Sequence, residues 1–104
     1  MDQLIIVYVT IGSIDQAQTL ATHLLEQKLI ACVNMIPNVH SMYVWNDALA
    51  QDNEVVMILK TFERMYQDLQ NAILMHHPYD LPCILKLKVD THQSFADFVT
   101  RVVK

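Results

Sequence analysis

Residues 31–61 read ACVNMIPNVHSMYVWNDALAQDNEVVMILKT. From Ala31 to about Asp47 the residue types are those of extended chain, interrupted by Pro37 and Asn38, and Met42, Tyr43, Val44 and Trp45 restore strand character. Such a span is two to three times the roughly 5 to 6 residues of an ordinary strand. The polar NDALAQDN (46–53) then reads as a loop and EVVMILKT (54–61) as a second strand. Together they predict a long, bent hairpin, with Pro37, which has no N–H to donate, at an edge or a bulge.

The flanking segments complete the pattern. LIIVYVTI (4–11) is a continuous apolar, β-branched run closed by Gly12, the only glycine of the chain, and predicts a central strand covered on both faces. Ser13 to Gln16 fits a capping box, and Ala17, Leu20, Ala21, Leu24 and Leu25 recur at helical spacing, which gives a helix over about 13–27. Phe62, Met65, Tyr66, Leu69, Ala72 and Ile73 form the stripe of a second helix that ends before Pro78. CILKLKV (83–89) alternates as a fourth strand, with Cys83, Leu85, Leu87 and Val89 on one face and Ile84, Lys86 and Lys88 on the other. Phe95, Phe98, Val99, Val102 and Val103 mark a short C-terminal helix. The order is β-α-β-β-α-β with an added helix, an α+β ferredoxin-like pattern in one domain over 1–104. The usual strand order of that fold is 4-1-3-2.

Composition narrows the function. Of the 104 residues, 53% are apolar and only 17% charged, more apolar content than so small a domain uses for its own core. An oligomer interface is expected to absorb the surplus. The net charge is −4 with no basic run, which removes the electrostatic footprint of a nucleic-acid binder. No 18-residue apolar stretch and no signal-peptide pattern occur, so the expectation is a cytoplasmic protein without a membrane partner. Two cysteines, Cys32 and Cys83, are too few for a disulfide framework and are expected as reduced thiols.

The chemistry-bearing residues gather in HHPYDLPCI (76–84). Cysteine and histidine are natural ligands of copper and zinc. His76 and His77 are adjacent, however, and point apart unless the backbone turns sharply. No CxxC, HxxxH or HExxH accompanies them. His76 reads as an exposed helix-end histidine, whereas His77 precedes a proline-fixed turn that could aim it into a cleft. Cys32 reads as a small buried hydrophobe, and Cys83, beside Pro82, as more accessible. The expected strand order puts these cysteines at opposite sheet edges, so a disulfide within one chain is not expected. Lys60 is either a snorkelling surface cation or an anion contact. Tyr43, Trp45 and Tyr79 read first as packing residues, and Glu54 as a strand-end charge. No Ser-His-Asp spacing, phosphate loop or dinucleotide fingerprint occurs, and no enzyme is expected.

ACVNMIP (31–37), SMYVW (41–45), EVVMILKT (54–61) and HHPYDLP (76–82), in this order and spacing, resemble the CutA family of divalent-cation tolerance proteins. The match spans nearly the whole chain. The resemblance implies a ferredoxin-like protomer in a tight homotrimer, the long hairpin reaching into a neighbour. It implies a response to metal stress with copper or another divalent cation as cofactor, and a cleft between subunits. Carried over by position are Cys32, Lys60, His77 and Tyr79, to which Trp45 and Glu54 are added; with Cys83, a residue of this chain and not of the family pattern, the metal candidates are Cys32, His77 and Cys83, and the cleft or ligand-binding candidates are Trp45, Glu54, Lys60 and Tyr79. The alternative is a regulatory or scaffold trimer that binds a small anionic ligand through Lys60, His77 and Tyr79. The chain departs from the family in three places. Trp45-Asn46-Asp47 replaces a Trp-acid-Gly turn, where Asn or Asp can adopt the left-handed conformation at modest cost. Pro82-Cys83-Ile84 replaces Pro-Glu-Ile, exchanging a carboxylate for a thiol, and Phe98 stands where a tryptophan is usual.

Overall fold

The computed structural model describes residues 2–104. In chain order the elements are β1 (Leu4–Ile11), α1 (Ile14–Glu26), β2 (Cys32–Trp45), β3 (Ala48–Phe62), a 3-10 turn (Glu63–Met65), α2 (Tyr66–His76), β4 (Ile84–Val89) and α3 (Gln93–Val102). The strands form one antiparallel sheet in the order β2-β3-β1-β4, the arrangement the sequence predicts.

The centre is β1 on β3, paired from Leu4↔Phe62 to Ile11↔Val55. Ile5, Val7, Val9 and Ile11 share one face with Val55, Met57 and Leu59, and all are buried. Against them lie Ala17, Leu20 and Leu24 of α1 and Leu69 and Ile73 of α2. Each such aliphatic side chain removed from water contributes roughly 1.5–3 kcal/mol.

Local chemistry fixes the ends of α1. The Ser13 hydroxyl accepts from the Gln16 N–H at 3.2 Å, which is one half of the expected capping box. At the other end Leu29 N–H bonds Leu24 O at 3.1 Å and Lys28 N–H bonds Leu25 O at 3.0 Å, with Lys28 left-handed at φ 59°. That is a Schellman stop with lysine where glycine is usual. The buried Thr61 hydroxyl donates to Leu29 O at 2.8 Å and ties the stop to β3.

The hairpin corrects the expected loop. Only Asn46 and Asp47 turn, at φ 51° and 63°, and β3 starts at Ala48 opposite Trp45. Two positive φ values in sequence define the two-residue turn that matches strand twist. Once it sets the register, 48–53 pair with 40–45 despite their polarity, because strands of a solvated arm need backbone partners rather than a buried face. Pro37 sits where predicted, in the register shift between Ile36 and Val39, beside Asn38 at φ 61°. The arm gives the molecule its 45 × 24 × 23 Å shape.

β4 alternates as predicted but begins one residue after Cys83. Its polar side faces the helices: Lys86 pairs with Val7, and its Nζ lies 2.5 Å from Glu63 Oε1 and 4.7 Å from the Tyr66 ring centroid. Leu85 and Leu87 take the other face beside Tyr8 and Ile6, and are 53% and 54% exposed.

Lys28→Gly removes the steric cost of a left-handed lysine and is expected to stabilise the fold by about 0.5–1 kcal/mol, net of glycine's greater unfolded freedom. A raised urea midpoint checks it, and Lys28→Val should move the midpoint the other way.

Candidate functional site

α2 stops at His76 because Pro78 disfavours helical geometry in the residue before it. His77 is accordingly extended (φ −74°, ψ 136°), and its N–H closes the helix on Ile73 O at 2.8 Å. The turn carries the His77 ring inward, where it is 7% exposed. Nε2 lies 2.7 Å from Thr10 O, and a carbonyl only accepts, so Nε2 holds the proton. Nδ1 accepts from the Tyr79 N–H at 3.1 Å. His77 is therefore a neutral imidazole with both nitrogens engaged, a brace between β1 and the turn.

Tyr79 stands edge-on to that ring at 4.7 Å and donates its hydroxyl to Glu54 Oε2 at 2.8 Å. Gly12 lies alongside, where an added Cβ would come within 2.8 Å of Gln16 Oε1 and 3.6 Å of the Tyr79 hydroxyl. On the neighbouring arm Tyr43 donates to Asp52 Oδ2. Burial and then the Glu54 hydrogen bond hold the Tyr79 phenol well above its ordinary range, with Asp52 adding to the effect. The Asp52 hydrogen bond, then burial, raises Tyr43, and burial followed by the Glu54 charge raises the Cys83 thiol. Burial and the Glu54 charge thus both hold the proton on the Cys83 thiol and the Tyr79 phenol, while Asp52 acts on the two phenols.

The sequence candidates divide among three places. His77, Tyr79, Glu54 and Cys83 gather at the turn. Cys32 and Lys60 form a cross-strand pair further along the sheet, with Lys60 Nζ 2.5 Å from Asn34 Oδ1. Six residue steps along β3 separate Lys60 from Glu54, roughly 20 Å. Trp45 is at the arm tip, 49% exposed. Both cysteines are free, on the two outer sides of the sheet. Among the described residues, no three of His, Cys, Asp and Glu come together within the chain in a metal-holding group. Sequence reading missed Thr10, Gly12 and Asp52. Only the lone glycine carried a signal, since a chain with one glycine places it where a side chain would collide.

Folding raises the Tyr79 pKa above its ordinary 10.0, so the unfolded chain releases a proton from about pH 10 upward that the folded chain keeps. The associated stability is complete below pH 10 and is lost as pH climbs through the raised value. Tyr79→Phe is expected to be less stable at neutral pH by about 0.5–1.5 kcal/mol and to lose stability less steeply above pH 10 than the wild type. Urea unfolding across that range checks it, and parallel slopes would contradict the Glu54 bond.

The family described as CutA1 divalent ion tolerance protein matches residues 5–102. The divalent-cation tolerance protein CutA of Escherichia coli O9:H4 is 46% identical over 76 residues, 73% of this chain and 67% of that protein. The chloroplastic CutA of Arabidopsis thaliana is 33% identical over 82% of this chain, which spans only 47% of that longer protein. Among solved structures, CutA1 of Ehrlichia chaffeensis superposes with a TM-score of 0.94 at 34% identity, covering 98% of this chain and 96% of that one. A structure described as the periplasmic divalent cation tolerance protein CutA of Archaeoglobus fulgidus gives 0.94 at 29% identity, over 97% of this chain and 99% of that one. By motif, by matched length and by backbone geometry, the chain belongs to the CutA1 divalent ion tolerance family.

Proposed function

We propose that the protein acts in divalent-cation tolerance as a homotrimer that binds copper or a related soft divalent ion at boundaries between subunits. The observation that carries this reading is the negative cluster at the turn. Burial and then the Glu54 charge act on the Cys83 thiol, and the nearest candidate cation, Lys60, is roughly 20 Å along the strand from Glu54. A thiol held protonated by burial and by a neighbouring carboxylate can exchange its proton for a metal cation that the carboxylate attracts, and thiolate favours copper and zinc over magnesium and calcium.

Assembly supplies what one chain lacks. Leu85 and Leu87, together with Ile6, Tyr8, Ile58 and Ile36, make the sheet face opposite the core apolar and partly or largely exposed, a surface suited to a second copy. Contact between copies can carry Cys32, on the β2 edge, toward a neighbour's Cys83, on the β4 side. In this arrangement His77 braces the turn, and it becomes a ligand only by giving up its bond to Thr10 or to Tyr79. The unpaired thiols support a reducing, cytoplasmic setting.

The anionic-ligand alternative has less support, because Tyr79 faces a carboxylate and Lys60 is distant within the chain. It needs Lys60 from another subunit.

Native mass spectrometry under reducing conditions tests assembly and metal uptake together. The expected species is three times the 12.0 kDa chain mass, with discrete copper adducts. Leu85→Asp with Leu87→Asp should give monomers that take up no copper, and Cys83→Ser should remove the adducts from an intact trimer. Unchanged copper uptake by Cys83→Ser and Cys32→Ser would sink the thiol assignment, while a metal-free trimer stabilised by phosphate only when Lys60 is present would favour the alternative.

A further inference from the structure

His23 of α1 and His76 of α2 bring their rings together with centroids 4.0 Å apart and planes at 51°. Neither belongs to the turn cluster. His77 and His40 have protein partners for their ring nitrogens, whereas among the described residues neither His23 nor His76 makes a side-chain hydrogen bond. The pair borders an open groove of about 410 Å³ between the helices, whose rim also carries the Asp15 carboxylate and the Thr19 hydroxyl and no lysine or arginine. Each histidine occupies the last turn of its helix, where unpaired carbonyl dipoles favour positive charge.

We infer that His23 and His76 form a two-imidazole site for a divalent transition-metal ion of the imidazole-preferring kind, zinc, nickel or copper(II), that clips α1 to α2. Two imidazole nitrogens at 2.0–2.1 Å on adjacent positions of one ion hold their ring centroids roughly 4.5–5 Å apart. The observed pair reaches that spacing by a small side-chain rotation, which exposed His76 is free to make. With two protein ligands the remaining positions belong to water, and Asp15 contributes charge at the rim. Magnesium and calcium, which take oxygen ligands, have no cage here. The site lies on the helix side of the sheet, away from the open apolar face, so assembly through that face leaves it accessible. It requires no cysteine and no second subunit, and stands independently of the cleft reading.

Calorimetric titration with nickel(II) tests it, on the full chain carrying Cys32→Ser and Cys83→Ser to silence thiol binding. The expected result is one nickel ion per chain, with affinity falling at least about tenfold in His23→Gln and in His76→Gln and unchanged in His92→Gln. Nickel should also raise the melting temperature of the parent and leave that of the two glutamine variants unmoved. Thermal unfolding without metal verifies that each variant folds, and should the half-buried His23 position not tolerate the change, exposed His76→Gln carries the test alone. No saturable uptake by the parent, or equal affinity in the parent and His76→Gln, would show the ring pair to be a packing contact and overturn the proposal.

Discussion

Everything in this molecule hangs on the register of β1 against β3. Eight consecutive pairs, from Leu4↔Phe62 to Ile11↔Val55, send Ile5, Val7, Val9 and Ile11 toward the helices. A slip of one residue would send Ile6, Tyr8 and Thr10 there instead, exchanging four aliphatic side chains for a set with two hydroxyls. Burying a hydroxyl without a partner costs roughly 1–3 kcal/mol on protein scales, so the slipped sheet is strongly disfavoured. The same register sets the site. It puts Thr10 O within reach of the His77 ring and brings Glu54, one residue past the last pair, to the Tyr79 hydroxyl. The turn before β4 is thus braced by the two strands at the centre of the sheet.

Much of this was legible in the residues. A run such as LIIVYVTI reads as a central strand, although within the chain only the face of Ile5, Val7, Val9 and Ile11 is covered and that of Ile6, Tyr8 and Thr10 stays partly open, and the helical stripes leave little choice of topology once the other strands are placed. Pro37 announced the bulge because it lacks an N–H, and Asn46-Asp47 announced the turn because both side chains tolerate positive φ. The pairing of 48–53 was hidden because the sequence there is polar, and polarity distinguishes buried from solvated strands rather than strand from loop. The facing of β4 was hidden for a related reason. Lysine beside leucine at alternate positions says that two faces differ, but Glu63 and the Tyr66 ring, which draw Lys86 toward the helices, enter only with the tertiary fold.

The site was legible by residue type and not by grouping. His77 stands out in the sequence as a ligand, yet its environment spends both nitrogens on backbone groups. Two backbone hydrogen bonds to the buried ring oppose its coordination of a metal, since that requires one bond to be given up. Cys83 stood out less and is the freer group. Its proton is held by burial and by the Glu54 charge.

A chain of this size with apolar side chains on both faces of its sheet has more surface to bury than one layer of helices can cover. Leu85 and Leu87 stand more than half exposed on the face opposite α1 and α2, and the polar side of β4 is already committed to Glu63. Turning the strand over would put the lysines in water but break that ion pair and leave two leucines wedged at the helix edge. The strand therefore keeps its lysine side toward the helices and leaves its leucines exposed, an orientation that a second copy could cover. A partner that is another copy approaches with the same sheet, whose two outer strands lie beside different cysteines. The separation that forbids a disulfide or a chelate within one chain is then the condition that lets neighbouring chains share one. Metal capture at such a boundary would depend on assembly, and assembly would gain from metal, because an ion bound only by the oligomer stabilises the oligomer by mass action.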